Sequence, residues 1–153
     1  MAVPTFAIVS FRVTECALRN TMDETHGFQI DLAPACSIEV KNGKRPYATL
    51  TNTISVRNDG ATDEQIESEG APHFIATLTT QINVVLPESK SEDDLCERLK
   101  DPQIRVDIVS SGMPLTLRQL RLLMEGAGLS TKGIPLNMVP EDVELVIDGT
   151  PSK

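Results

Sequence analysis

The sequence predicts an α+β fold, a four-stranded antiparallel meander sheet with two C-terminal helices packed on or beside one face, formed by residues 1–153 as a single domain. Three observations predict it. Apolar and polar residues alternate in four runs before Pro87, the links between those runs are short, and helix start and stop signals occur only after Pro87. Consecutive strands joined by short links favour a meander, whose one apolar face needs a covering layer.

The first run, residues 5–18, places Ala7, Val9, Phe11 and Val13 on one face. The second, residues 28–40, carries Phe28, Ile30, Leu32, Pro34, Cys36, Ile38 and Val40 at even positions, the pattern of a half-buried strand. Pro34 cannot donate to a ladder, so this strand is an edge, or is bulged or bent there. Asn42-Gly43 suits a two-residue type I′ turn. The returning run, residues 47–57, sets Ala48, Leu50, Ile54 and Val56 against Thr49, Thr51, Thr53, Ser55 and Arg57, with Asn52 alone interrupting the apolar side. Residues 58–72 read as an exposed acidic loop containing Asp59, Asp63, Glu64, Glu67 and Glu69. The fourth run, residues 73–86, points Phe74, Ala76, Leu78, Ile82, Val84 and Leu86 inward, with Thr80 as the exception.

Beyond Pro87, Ser91 and Asp94 form a capping pair, Arg98 and Lys100 suit a last turn, and Pro102 is expected to stop this short helix, whose apolar stripe is Leu95 and Leu99. Residues 103–109 alternate weakly and suit a fifth short strand or an extended crossover, with Ile104, Val106 and Ile108 on one side. Pro114 suits the first turn of a long helix and Gly126 or Gly128 its C-terminal cap. On that helix Leu115, Leu117, Leu120, Leu122, Leu123 and Met124 sweep roughly 220°, more than a helix lying on a single core requires. The surplus points either to burial on two sides, by the sheet and by the apolar strap of residues 134–140, or to a surface for a subunit or client.

Composition narrows the function. A net charge of −8 argues against nucleic acid and anionic membranes, and 3% aromatic residues with no Trp leave few stacking platforms for bases. The basic residues Lys41, Lys44 and Arg45 around one turn read as a charged hairpin tip. Cys16, Cys36 and Cys96 cannot all pair within one chain and lack zinc spacing, which suggests a reducing compartment. With no basic leader and no apolar run of membrane-spanning length, the cytoplasm is the expected location. His26 and His73 lie in or beside loops, and a Cys16, His26, Cys36 and Asp23 metal site lacks short ligand spacing. No phosphate-binding or EF-hand motif is present, so the expectation is a binding protein without cofactor or metal, and not an enzyme.

The order of elements and the tail resemble the SecB family of protein-export chaperones. The resemblance is carried by Met113-Pro114 at a helix opening, Arg118 a turn inside, Gly126-Ala127-Gly128 at the exit, and Ile134-Pro135-Leu136-Asn137-Met138-Val139-Pro140 in the strap. It implies an ATP-independent holdase, a homo-oligomer built as a dimer of dimers, that binds unfolded or basic polypeptides for export, docks an export motor, or protects an antitoxin. Under this resemblance Leu115, Leu122, Ile134, Leu136, Met138 and Val139 are expected to line a client groove, and Leu95 and Leu99 to pack subunits. The alternative is a structural or assembly protein of a larger particle, a viral one included, without chaperone activity.

Overall fold

A computed structural model of the chain describes residues 6–21, 30–58, 74–129, 131–140, 143–147 and 150–152. The elements are β1 (Ala7–Asn20), β2 (Ile30–Asn42), β3 (Pro46–Asn58), β4 (Phe74–Val85), α1 (Glu92–Leu99), α2 (Pro102–Gly126), β5 (Val143–Ile147) and β6 (Thr150–Ser152). The fold is α+β and mostly antiparallel, but it is not a meander. Strand order is β1-β4-β3-β2-β5-β6. β2, β3 and β4 are successive antiparallel neighbours, while β1 crosses to the far edge and pairs with β4. This is a Greek key. Alternation fixes the face a side chain takes and says nothing about which strand lies beside which. β5 then extends the sheet parallel to β2, and β6 closes it antiparallel to β5.

The period-two pattern is realised on β2, β3 and β4. Ile38, Val40, Ala48, Leu50, Ile54, Val56, Phe74, Ala76, Leu78, Ile82 and Val84 are buried on one face. The opposite face carries Thr49, Thr53, Thr79 and Asn83, where Thr49 Oγ1 donates to Asn83 Oδ1 at 2.8 Å and the hydroxyls of Thr53 and Thr79 lie 3.1 Å apart. On β1 the expected face of Ala7, Val9, Phe11 and Val13 is corrected. Register shifts at Val9 and Thr14 place Ile8, Phe11, Val13, Cys16 and Leu18 opposite inward residues of β4, and Ala7, Ser10, Arg12, Glu15 and Ala17 opposite outward ones. Each extra residue flips the alternation that follows it.

Pro34 pairs in regular register with Ile54 of β3, and β5 joins the other side of β2 only from Cys36 onward, so the missing N–H falls outside the β2–β5 ladder. The β2–β3 link is longer than expected. Asn42 faces Pro46, leaving Gly43, Lys44 and Arg45 as the connection, and Gly43 does not adopt positive φ, so the type I′ turn is not formed. The tip docks instead on the start of the helical layer, with Arg45 donating to the Pro87 carbonyl at 2.6 Å and Asn42 to Glu92 at 3.3 Å.

Ser91 caps α1 by accepting from the Asp94 N–H at 3.1 Å, as the sequence suggests. The next helix departs from expectation. Residues 103–109 are helical, not a strand or crossover: Asp101 accepts from the Gln103 N–H at 2.9 Å, Pro102 occupies the first turn, and α2 continues through Pro114 to Gly126. Pro102 therefore starts a helix as well as ending one. Arg105 donates to the Leu99 carbonyl at 2.7 Å, so the opening of α2 closes the end of α1. At the other end Gly128, with φ of 78°, and Leu129 complete a Schellman closure, Leu129 N–H reaching the Met124 carbonyl at 3.0 Å.

Candidate binding surface

The position of α2 on the sheet is set by two residues one turn apart. Gly112 lets the helix approach so closely that a Cβ there would sit 2.7 Å from Leu50 Cδ2 and 2.8 Å from Ile82 Cδ1. Thr116, fully buried, accepts from Asn52 Nδ2 at 3.1 Å and lies 2.7 Å from the Thr80 hydroxyl. Asn52 Oδ1 in turn accepts from the Cys36 thiol at 3.0 Å. The two polar interruptions of the inward pattern, Asn52 and Thr80, thus meet a third on the helix, and the network ties β2, β3, β4 and α2 together. Burial pushes the Cys36 thiol up to about 12, so it stays a neutral donor.

With that contact fixed, Ile108, Val109, Met113, Leu117, Leu120 and Met124 are buried. A helix turns 100° per residue, so Leu115 and Leu122, seven apart, share a flank outside this buried arc. Leu122 is 52% exposed and Leu115 half-buried.

The strap binds a different flank of the same helix, at its one backbone defect. Pro114 has no N–H, so the carbonyl of Ser110 lacks its usual helical donor. Asn137 Nδ2 supplies one at 3.1 Å, and Arg121 donates to the Pro135 carbonyl at 3.0 Å. Ser110 and Arg121 lie roughly 120° and 100° around the helix from Leu122. Along the strap, Ile134 is buried, Met138 half-buried, Val139 40% exposed and Leu136 78% exposed.

The six residues expected to form one groove therefore divide. Leu122, Leu136 and Val139 present apolar surface, Leu115 and Met138 present part of theirs, and Ile134 is packed inside the chain, beside Gly133, whose Cβ would meet Ile30 at 3.0 Å. Leu95 and Leu99 are fully buried in the chain's own core, which leaves them no surface to offer a subunit. Sequence reasoning missed the third apolar exposure, Ile8, Val9 and Val13 on the outer strand β1, because period-two alternation marks β1 like the covered strands.

No family model, curated protein or solved structure matches the chain. The surface has to be weighed by its own chemistry. Cys16 and Cys36 stand on β1 and β2 with β4 and β3 between them, so the metal set considered from sequence is not assembled; His26 and Asp23, like His73 and the acidic residues 59–69, lie outside the described residues. Among the described residues no group of three or more His, Cys, Asp or Glu could hold a metal, and no helix is long and apolar enough to cross a membrane. Cys16, Cys36 and Cys96 form no disulfide with one another. The charged groups near α1 pair with one another: Arg98 lies 2.9 Å from Glu88 and 3.7 Å from Asp94, and Lys100 lies 2.7 Å from Glu97, which raises the Lys100 ammonium above its ordinary value.

Proposed function

We propose that this chain is an ATP-independent holdase of SecB-like character, a cytoplasmic homo-oligomer that binds unfolded or basic polypeptides through apolar side chains on α2 and the strap. The observation that carries the proposal is the exposure of Leu122 on α2 and of Leu136 and Val139 on the strap that docks on it. Apolar side chains brought to the surface on one helix and its strap mark a site for weak, unspecific contacts with many sequences. Met138, half-buried next to Val139 in the strap, can repack around unlike partners because its side chain is unbranched. The net charge of −8 keeps such a surface soluble and favours basic clients. Export or antitoxin protection, and an export motor as partner, belong to the proposal through the family resemblance alone.

Leu122→Asp is the direct test. Aggregation of a denatured client, followed by light scattering, is suppressed by the parent protein and not by the variant, while oligomer mass and thermal unfolding stay unchanged. Undiminished suppression by Leu122→Asp removes the helix flank from the client site. A second reading, a structural subunit of a larger particle, is favoured by β1, which among the described strands pairs with β4 alone and exposes Ile8, Val9 and Val13. Copurification with particles, with no effect on client aggregation, would select it.

A further inference from the structure

We propose that the strap is a built-in competitor: residues 131–140 occupy a site for extended polypeptide on the Ser110–Arg121 flank of α2, and a client segment binds there by taking the strap's place. As a client site it rests on the holdase reading, and it adds to the open Leu122 flank a second site that is closed at rest.

The strap sits on α2 as a ligand sits on a receptor. Among the described residues, its main chain from Pro135 to Pro140 makes no backbone–backbone hydrogen bond, and the bond from the Ile134 N–H to the Thr131 carbonyl closes a turn within the strap itself. Side chains hold it to the helix, Asn137 Nδ2 donating to the Ser110 carbonyl at 3.1 Å and Arg121 to the Pro135 carbonyl at 3.0 Å. Ile134 is buried and Met138 half-buried, while Leu136 and Asn137 between them are exposed. A segment anchored by a few side chains and no ladder opens at low cost. Pro135 is reached from Arg121, and Asn137 reaches Ser110 nearer the helix start, so the strap runs antiparallel to α2.

What α2 offers on this flank does not depend on the sequence of its occupant. Arg121 reads a main-chain carbonyl, which every residue carries. Ser110 presents the carbonyl that Pro114 leaves without a helical donor, an acceptor for any N–H. Covering that carbonyl without a donor is costly, so the flank is filled by the strap or by a chain that brings a donor of its own. The ligand that fits is an extended polypeptide with bulky apolar side chains four residues apart and a donor just before the second, the order of Ile134, Asn137 and Met138. Asn137 is already shaped for this role, since its Oδ1 accepts from the Met138 N–H at 2.9 Å and leaves Nδ2 for the helix.

Competition between the tethered strap and a free copy of it is the test. The probe is a fluorescein-labelled peptide of residues 131–140, titrated with the full chain and followed by anisotropy. Asn137→Ala in the chain weakens the resident strap by one hydrogen bond and tightens peptide binding about fivefold, because more of the site stands open. The same Asn137→Ala change in the peptide weakens binding about fivefold, and a purely structural role for Asn137 does not give opposite signs. In a Cys16→Ser, Cys96→Ser background, Ser110→Cys with Asn137→Cys, joined by a short bismaleimide, pins the strap. The pinned protein binds the peptide about tenfold or more weakly than the same protein before crosslinking. The proposal is overturned if the crosslink does not form within one chain, if pinned and unpinned proteins bind equally, or if no peptide binds. Either Asn137→Ala effect missing or reversed overturns it as well, and each of these outcomes leaves the Leu122 flank to its own test. Peptide binding with the expected signs, by a protein that does not suppress client aggregation, keeps the latched site and removes the holdase reading.

Discussion

At the scale of single residues, three glycines near or on α2 hold different places for different reasons. Ala is about 1 kcal/mol better than Gly inside a helix. At Gly126 nothing lies within 4 Å of an added Cβ and φ is not positive, so Gly126→Ala is expected to stabilise by up to about 1 kcal/mol. At Gly112 the same methyl meets Leu50 and Ile82 closer than 3 Å, and overpacking of about 1–3 kcal/mol outweighs the helical gain, so Gly112→Ala destabilises. Gly128, with φ of 78°, resists Ala through backbone strain and not through crowding. Urea unfolding of the three variants checks the signs; a Gly112→Ala protein as stable as its parent would mean that Leu50 and Ile82 yield to the added methyl at no net cost. The sequence shows these glycines as similar punctuation. Which one touches the sheet depends on where Thr116 meets Asn52 and Thr80, and those residues are 64 and 36 positions away in the chain.

At the scale of elements, the strap and the helix it crosses complete each other. Asn137 reaches the Ser110 carbonyl that Pro114 leaves without a helical donor. Removing that amide should cost about 1 kcal/mol, the net worth of an ordinary hydrogen bond. Pro114→Ala returns an N–H to the helix, so Asn137→Ala in that background should cost close to nothing. A double-mutant cycle by denaturant unfolding measures the difference, and equal costs in both backgrounds would show the two sites to be independent. The sequence makes Pro114 conspicuous but gives it the wrong place, at the start of a helix. Seven weakly alternating residues, 103–109, satisfy a strand period nearly as well as a helical one, and Pro is accepted in a helix's first turn, so Pro114 attracts the start that belongs to Pro102. The strap was legible as apolar. Its docking flank was not, because a carbonyl lacking a donor leaves no mark in side-chain composition.

At the scale of the whole molecule, the class of fold, the four long strands and the inward face of β2, β3 and β4 could be read from alternation, whereas the Greek-key order and the added β5 and β6 could not. Whole-chain stability on the alkaline side is tied to the network under α2. Cys36 ionises near 9.0 when unrestrained and near about 12 when folded. The unfolded chain therefore releases this proton first, and the stability it represents is fully present below pH 9, falls as pH rises toward 12, and is gone beyond that. Cys36→Ser should flatten that decline in unfolding midpoints measured between pH 8 and 11. An unaltered slope would mean that the thiol does not control it.

The helical layer is narrower than the sheet beneath it. Strands spaced by about 4.8 Å make a six-strand sheet roughly 24 Å from edge to edge, and each helix roofs about 10 Å. α1 and α2 pack over β2, β3 and β4, with Ile8 and Val13 left showing on the same side of β1. Among the described residues, a strip about 5 Å wide along the outermost strand therefore has no helix above it, and the roof ends one strand short of the sheet it covers.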